Sequence, residues 1–404
     1  MTWNDSTIGD VLSIIKNGIN CEQSKNQIGE KITRIETIAH KRFDFTRVGY
    51  ANLTENEKEK SKLKIGDILF SHINSPIHVG KTAIYESEED IYHGINLLLM
   101  RTIESVDPYY FNLFLNNLFL SGYWKDNCKK SVNQASVNQK DISKVNFSYP
   151  KIEIQRKIVV KVNAIFSEID KAKEALEVSV RNVEALFYSY FHTINSKNNT
   201  NWKKSTIGDI CNLMTGGTPT STNELYYENG DIPWLVSGDI NLNEIHDCEG
   251  RITELGYKNS NTKYLPVNSV MIALNGQGKT RGTVAMLRMK ATCNQSLVSI
   301  FPKDMSEIIP DLIYYILKTR YLEIRKLTGD SGNDRRGLNM ILIRKIEISY
   351  PKNLSEQEKL VNDLRALLNK SEVMKSNYLE KIKQLEFLKN SILKKAVNGE
   401  LVKV

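Results

Sequence analysis

The sequence predicts an α+β protein: two pseudo-symmetric α/β domains separated by two long antiparallel coiled-coil helices. Three observations carry that expectation. Residues 3–11 read WNDSTIGDV, and 199 positions later residues 202–210 read WKKSTIGDI. FSYPK at 147–151 returns as ISYPK at 348–352. Each of these second motifs runs into a charged stretch whose apolar residues alternate spacings of four and three. A repeat of about two hundred residues is too long for one solenoid turn. Each copy therefore reads as a domain followed by a helix.

The first domain is expected over residues 1–150. It holds short β-type runs at 65–70 and 95–100. A helix is expected after Asp107 and Pro108, because Asp caps a helix and Pro fits its first turn. Tyr110, Phe111, Phe114, Leu115 and Leu118 then fall on one helical face. The first helical spacer covers 151–195, and polar, turn-prone residues at 195–201 lead into the second domain, 196–351. There the run at 267–272 matches 65–70, and a helix at 311–317 matches the one after Asp107. The second helical spacer covers 352–404.

In the first spacer Ile158, Val162, Ile165, Ile169, Ala172, Leu176, Ser179, Val183, Leu186 and Tyr190 keep a heptad seam. In the second, Leu360, Leu364, Leu367, Ser371, Met374, Tyr378, Lys381, Leu385, Leu388 and Ile392 do so. Four sustained heptads with charged flanks describe a coiled coil. Forty residues at ~1.5 Å each span roughly 60 Å. Antiparallel pairing of the two helices within one chain would place one domain at each end; pairing with another molecule is the alternative.

Composition narrows the partners. Fifty-five Lys and Arg against 47 Asp and Glu give a net charge of +8, which permits a polyanionic ligand without demanding one. The five cysteines are scattered with no C-x-x-C spacing, against a disulfide framework or a zinc site and in favour of a reducing cytosol. Residues 1–10 lack signal-peptide character, and no apolar run approaches a membrane span. A cytoplasmic protein is expected.

Fragments that imitate catalytic motifs fail on spacing. Gly80-Lys81-Thr82 and Gly278-Lys279-Thr280 end like a phosphate-binding loop, but Ser75 and Ala273 stand where its leading glycine belongs, and strand follows instead of helix. Asp107-Pro108-Tyr109-Tyr110 lacks one proline of an adenine-methyltransferase loop. Pro310-Asp311 is not followed by a nuclease signature. What remains is recognition, through loops that mix Lys and Arg with Asn, Gln, Ser and Thr. Arg and Lys suit guanine edges and phosphates; Asn and Gln suit adenine edges. The candidates in the first copy are Lys41, Arg42, Arg47, His72, Asn74, Lys81, Asn133, Gln134 and Asn138. Those in the second are Thr215, Thr218, Thr220, Asn275, Gln277, Lys279, Arg281, Asn333, Arg335 and Arg336.

With its order of domain, heptad helix, domain, heptad helix, the whole chain resembles the specificity subunit of type I restriction–modification enzymes. The local patterns agree: W-x-x-x-x-I-G-D opening each half, TGGTP at 215–219, IPW at 232–234, Gly238-Asp239, and Y-P followed by Gln155 or Gln357 at each helix start. The end of the chain, from Ala396 through Gly399 to Leu401, resembles the family's Gly-x-Leu tail, which in cyclic order leads back to Trp3. The resemblance implies two target-recognition domains, each reading one half of a split double-stranded DNA sequence. It implies a coiled coil that sets the unread spacer and docks two modification subunits, with Ile158, Ile165, Ile169, Leu176, Leu360, Leu367, Leu385 and Ile392 on the docking helices. The chain would bind no cofactor and carry no catalytic residue. S-adenosylmethionine belongs to the modification subunits, and ATP with Mg to the restriction subunits. A stand-alone two-headed nucleic-acid-binding regulator is the rival reading.

Overall fold

The computed structural model describes residues 3–131, 134–196, 201–276, 278–328 and 337–401. It divides into two units, residues 1–177 with 380–404, and residues 178–379. Two helices, Ile152–Ser196 and Leu354–Val397, each contribute a part to both units. Among the described residues no helix is long and apolar enough to cross a membrane.

In the first unit the two repeated motifs pair with each other. The opening strand Asn4–Thr7 lies antiparallel to Asn146–Tyr149, with Ser6 opposite Phe147. In the second unit Trp202–Thr206 lies antiparallel to Glu347–Pro351, with Ser205 opposite Ile348. Each lobe is thus closed by a strand pair that joins its beginning to its end.

Between those strands the first unit builds a four-stranded antiparallel sheet in the order Leu12–Asn17, Leu98–Thr102, Ile68–Phe70, Thr82–Ile84. The second unit repeats that order with Cys211–Thr215, Leu297–Pro302, Val270–Ala273 and Val284–Leu287, and adds Glu244–Ile245 as a parallel edge. Helix Pro108–Leu120 buries Tyr110, Phe111 and Leu115 in the core that contains Ile68, Phe70, Leu98 and Met100. Asp107 caps it by accepting from the backbone N–H groups of Tyr109 and Tyr110. Helix Pro310–Thr319 is its counterpart and is buried along nearly its whole length. The strands begin later than the apolar runs suggest. Residues 65–66 and 267–268 form turns, with Gly66 and Asn268 at positive φ, so Ile65 and Val267 stay exposed.

A buried glutamine fastens each lobe to the helix that follows it. Gln155 accepts from Asp107 N at 2.8 Å and donates to the carbonyls of Ser105 (3.1 Å) and Pro150 (2.8 Å). Gln357 accepts from Ile309 N at 3.1 Å and donates to Glu307 and Pro351, both at 2.8 Å. Ile158, Val159 and Val162 enter the core of the first lobe, together with Ala396 from the end of the second long helix. Leu360, Val361 and Leu364 enter the core of the second lobe, together with Phe187 and Phe191 from the end of the first long helix.

The helices run antiparallel. In the first unit Lys173 pairs with Glu386 and Lys389 with Asp170; in the second, Lys375 pairs with Glu184. Lys173 and Lys375 occupy equivalent places in the repeat, as do Glu184 and Glu386, so the same pair recurs with its partners exchanged. The expected unbroken heptad needs correction. Ala172 is exposed, and Leu186 and Leu388 remain 50% and 47% exposed, whereas Lys173, Val180, Phe187, Ile382 and Lys389 turn inward. The seam takes two successive steps of four, Ile165–Ile169–Lys173 and Leu367–Ser371–Lys375. Such a stutter is how a helix of 3.6 residues per turn corrects its drift from a seven-residue repeat. It also moves Lys381 off the seam. Because the Lys173–Glu386 pair remains partly open to solvent, Lys173→Glu is expected to cost only about 0.5 kcal/mol. Adding Glu386→Lys should restore the loss in a urea-unfolding double-mutant cycle.

One difference between the lobes predicts a difference in acid stability. In each lobe a backbone carbonyl receives the N–H of the loop after the opening sheet strand: His93 O from Ile19 N at 2.9 Å, and Cys293 O from Gly217 N at 3.0 Å. His93 is fully buried, and that burial lowers its imidazole to about 4. The neutral ring is favoured in the folded state. Its contribution is therefore complete above the unfolded value of 6.5 and is lost as pH falls towards 4, by about 3 kcal/mol. Cys293 is pushed up to about 12 by burial and stays a thiol throughout that range. Urea unfolding at pH 7 and pH 4 should show a smaller pH loss in His93→Cys than in the unaltered chain; equal losses would show that His93 does not set the pH dependence.

Candidate nucleic-acid interface

Antiparallel order brings three loops together at one end of the first sheet. Asn17 ends the strand Leu12–Asn17, His72 and Asn74 follow Ile68–Phe70, and Ile95 and Asn96 precede Leu98–Thr102. Gln134, on the strand Gln134–Ser136 that pairs with Ile73–Asn74, completes a cleft of about 610 Å³. Asn17 Nδ2 donates to Ile95 O at 3.3 Å and faces His72 Nε2 at 3.1 Å, while its Oδ1 accepts from Gln139 Nε2 at 2.9 Å. That set of contacts fixes the amide, makes His72 Nε2 an acceptor, and assigns the ring hydrogen to Nδ1. Burial lowers the His72 pKa, so the ring is neutral. Asn74 donates to Ser71 Oγ at 3.2 Å and accepts from Ser75 N at 2.8 Å.

The basic candidates of this lobe lie elsewhere. Lys41 stands at φ 58° with its ammonium 5.4 Å from the centre of the Phe119 ring. Lys81 Nζ donates to Ala39 O at 2.8 Å, which ties these two residues to one neighbourhood. Arg42 and Arg47 are exposed, and Arg47 pairs with Asp44 at 3.4 Å. Asn138 caps the helix Gln139–Ser143, accepting from Asp141 N at 2.8 Å, and Asn339 caps Met340–Arg344 in the same way. Its side chain is thereby committed to the fold.

The second lobe converges on the same end of its sheet with different residues. Thr215 Oγ1 donates to Leu297 O at 3.0 Å, Thr218 bonds Gln295, and Thr220 is exposed. Trp234 Nε1 donates to Gly217 O at 3.0 Å, which explains why the IPW and TGGTP segments occur together. A Cβ at Gly216 would lie 1.7 Å from Cys293 O, and one at Gly18 would lie 2.2 Å from His93 O, so both loops need glycine to cross the neighbouring strand. Asn275 is exposed, and its Oδ1 occupies the place a side chain at Gly337 would need. Lys279 is exposed, and Arg281 is largely buried. The loop they share is held by Tyr321 Oη donating to Lys279 O at 2.8 Å and by Arg325 Nη1 donating to Gly278 O at 2.7 Å. Asn133, Gln277, Asn333, Arg335 and Arg336 lie outside the described residues.

Among the residues expected on the docking helices, Ile158 and Leu360 lie in the cores of their own lobes and Ile169 is buried. Ile165, Leu176, Leu367, Leu385 and Ile392 are half-buried. The exposed apolar side chains of these helices are instead Val160, Val178, Leu186, Tyr188, Val373, Leu379, Phe387 and Leu388. Among the described residues no group of three or more His, Cys, Asp or Glu could hold a metal ion. Asp311, which opened the rejected nuclease pattern, is bound to Arg288 (2.8 Å) and Arg365 (3.0 Å). The sheet-end loops therefore offer hydrogen-bonding amides and hydroxyls on a rigid frame.

A family model described as type I restriction modification DNA specificity domain matches residues 1–179 and 199–384. The putative type I restriction enzyme MjaX specificity subunit of Methanocaldococcus jannaschii is 28% identical over 417 residues, covering 99% of this chain and 93% of that protein. The EcoR124I/EcoR124II specificity subunit of Escherichia coli is 28% identical over 164 residues, 40% of this chain and 39% of that one. Among solved structures, a chain from work on the assembly and conformational transition of a type I R-M system superposes with a TM-score of 0.76 at 16% identity, covering 99% and 98% of the two chains. The HsdS subunit from Thermoanaerobacter tengcongensis superposes with a TM-score of 0.58 at 16% identity, covering 99% and 97%.

Proposed function

Because the chain belongs to the type I restriction–modification DNA specificity family, we propose that its two lobes divide the reading of one bipartite DNA target. The protein is the sequence-specific DNA-binding specificity subunit of a type I restriction–modification complex. Residues 1–150 read one half of the target and residues 196–351 the other. The helices at 151–195 and 352–404 set the unread spacer and dock two modification subunits. Restriction subunits join that assembly, which works in the cytoplasm. S-adenosylmethionine and ATP with Mg belong to these partners; the specificity subunit directs their chemistry by placing DNA.

One observation carries this reading. The two lobes share a four-strand order and a closing strand pair, yet the loops at the same sheet end differ: Asn17 and His72–Asn74 in one, Thr215–Thr218 and Asn275 in the other. A common frame with different polar tips suits two different half-sites read by one principle. Proteins that read split targets address major-groove segments about one DNA turn, ~34 Å, or a multiple of it apart.

The test is hydroxyl-radical footprinting of the complex assembled with modification subunits. Two protected tracts flanking an unread stretch are expected, with binding that weakens steeply as salt rises. One continuous tract bound by the isolated chain alone would favour the stand-alone regulator instead.

A further inference from the structure

We propose that the cleft of the first lobe reads one A·T base pair of its half-site through the major groove, with Gln134 engaging the adenine and Ile95 packing on the thymine methyl. The proposal rests on the DNA-reading function given above and names the base that one site accepts.

The cleft separates side chains that build it from side chains left to bind. Asn17 is spent on Gln139, Ile95 and His72, and Asn74 on Ser71 and Ser75. Those bonds make a wall. Gln134 and Asn96 are exposed, and among the described residues no hydrogen bond to either carboxamide is formed. His72 is 7% exposed, and its Nδ1 has no partner among the described residues. That atom is closed off from solvent, so the groups left to bind are the carboxamides of Gln134 and Asn96.

The chemistry of the lining selects the ligand. Among the described residues no lysine or arginine lines this cleft, and the buried imidazole is neutral, so a phosphate group finds no cation among them. Guanine presents two acceptors side by side, which suit a guanidinium or an ammonium. Adenine presents an acceptor at N7 beside a donor at N6, which one carboxamide satisfies with its own donor and acceptor. Its partner thymine carries a methyl group in the same groove, and apolar side chains are what contact it. Ile73 and Ile95 line the cleft at 38% and 37% exposure and give it an apolar surface among the amides. An amide beside an exposed isoleucine matches the edge of an A·T pair and no other pair as well.

The test uses the full chain co-expressed with modification subunits, with the methylated motif read by sequencing host DNA. Exchange of residues 202–351 first assigns each half of the motif to a lobe. In the first-lobe half, Gln134→Ala should relax one A·T position by roughly ten-fold or more and leave every other position intact. Gln134→Arg should move preference at that position towards G·C. Gln134 is exposed, so the melting temperature of both variants should match the parent. Unchanged preference at every position, a change in the other half, or a uniform loss of methylation in both variants overturns the proposal. A parent complex that methylates no bipartite motif would instead overturn the functional reading beneath it.

Discussion

Removing residues 396–404 is expected to destabilise the first lobe by about 4 kcal/mol, although these residues lie at the opposite end of the sequence. Ala396 is fully buried in the first-lobe core, Leu401 packs against that core, and Leu401 O accepts from Lys161 Nζ at 2.8 Å. Gly399 stands at φ 77°, and a Cβ there would lie 2.5 Å from Trp3 Cζ2, so the indole covers the turn that ends the second long helix. Truncation therefore opens the floor of the lobe. Amide exchange in strands Leu12–Asn17 and Leu98–Thr102 should accelerate by at least ~100-fold, while strands Cys211–Thr215 and Leu297–Pro302 keep their protection. Gly399→Val should produce a smaller loss in the same place. Unchanged exchange in the first-lobe strands would show that the tail is no part of that core.

Gln155→Leu should cost at least ~3 kcal/mol, and Gln357→Leu a similar amount in the other lobe. Each glutamine satisfies one backbone N–H and two carbonyls with no exposure to water. Leucine is close in volume, so the loss comes chiefly from stranding three polar groups and little from a cavity. Urea unfolding of each variant measures it. A loss below about 1 kcal/mol would mean that water replaces the amide and that the helix junctions are looser than the structure shows.

The repeat made the architecture legible in the sequence because its motifs are the closing elements themselves. The opening W-x-x-x-x-I-G-D pairs with S-Y-P as neighbouring strands, and the glutamine after each Y-P is the bolt between lobe and helix. The seam was legible only in part. Ala172 and Ser179 fit an ideal heptad as well as any residue, and nothing in a charged stretch announces that Lys173 lays its stem inward. The strand starts were misplaced because Ile65 and Val267 look like strand residues, while the turn is set by Gly66 and Asn268.

At the site, sequence composition found the loops without resolving roles inside them. His72, Asn74 and Gln134 come together, and Asn17 and Asn96, neither of them among the expected readers, complete their cleft. Asn17 does sit before Gly18, and that glycine is the signal available: it permits the close crossing that places Asn17 at the cleft. Asn138 is indistinguishable in sequence from a base reader and proves to be a helix cap.

In the function proposed above, each lobe specifies one half of a bipartite target. The most direct measurement is methylation-sensitive sequencing of host DNA from cells co-expressing modification subunits with the chain, and with a chimaera whose residues 202–351 come from another family member. A split motif methylated in both halves, with only one half altered by the exchange, is the predicted result. An exchange that alters both halves, or neither, would contradict the division of reading between the lobes.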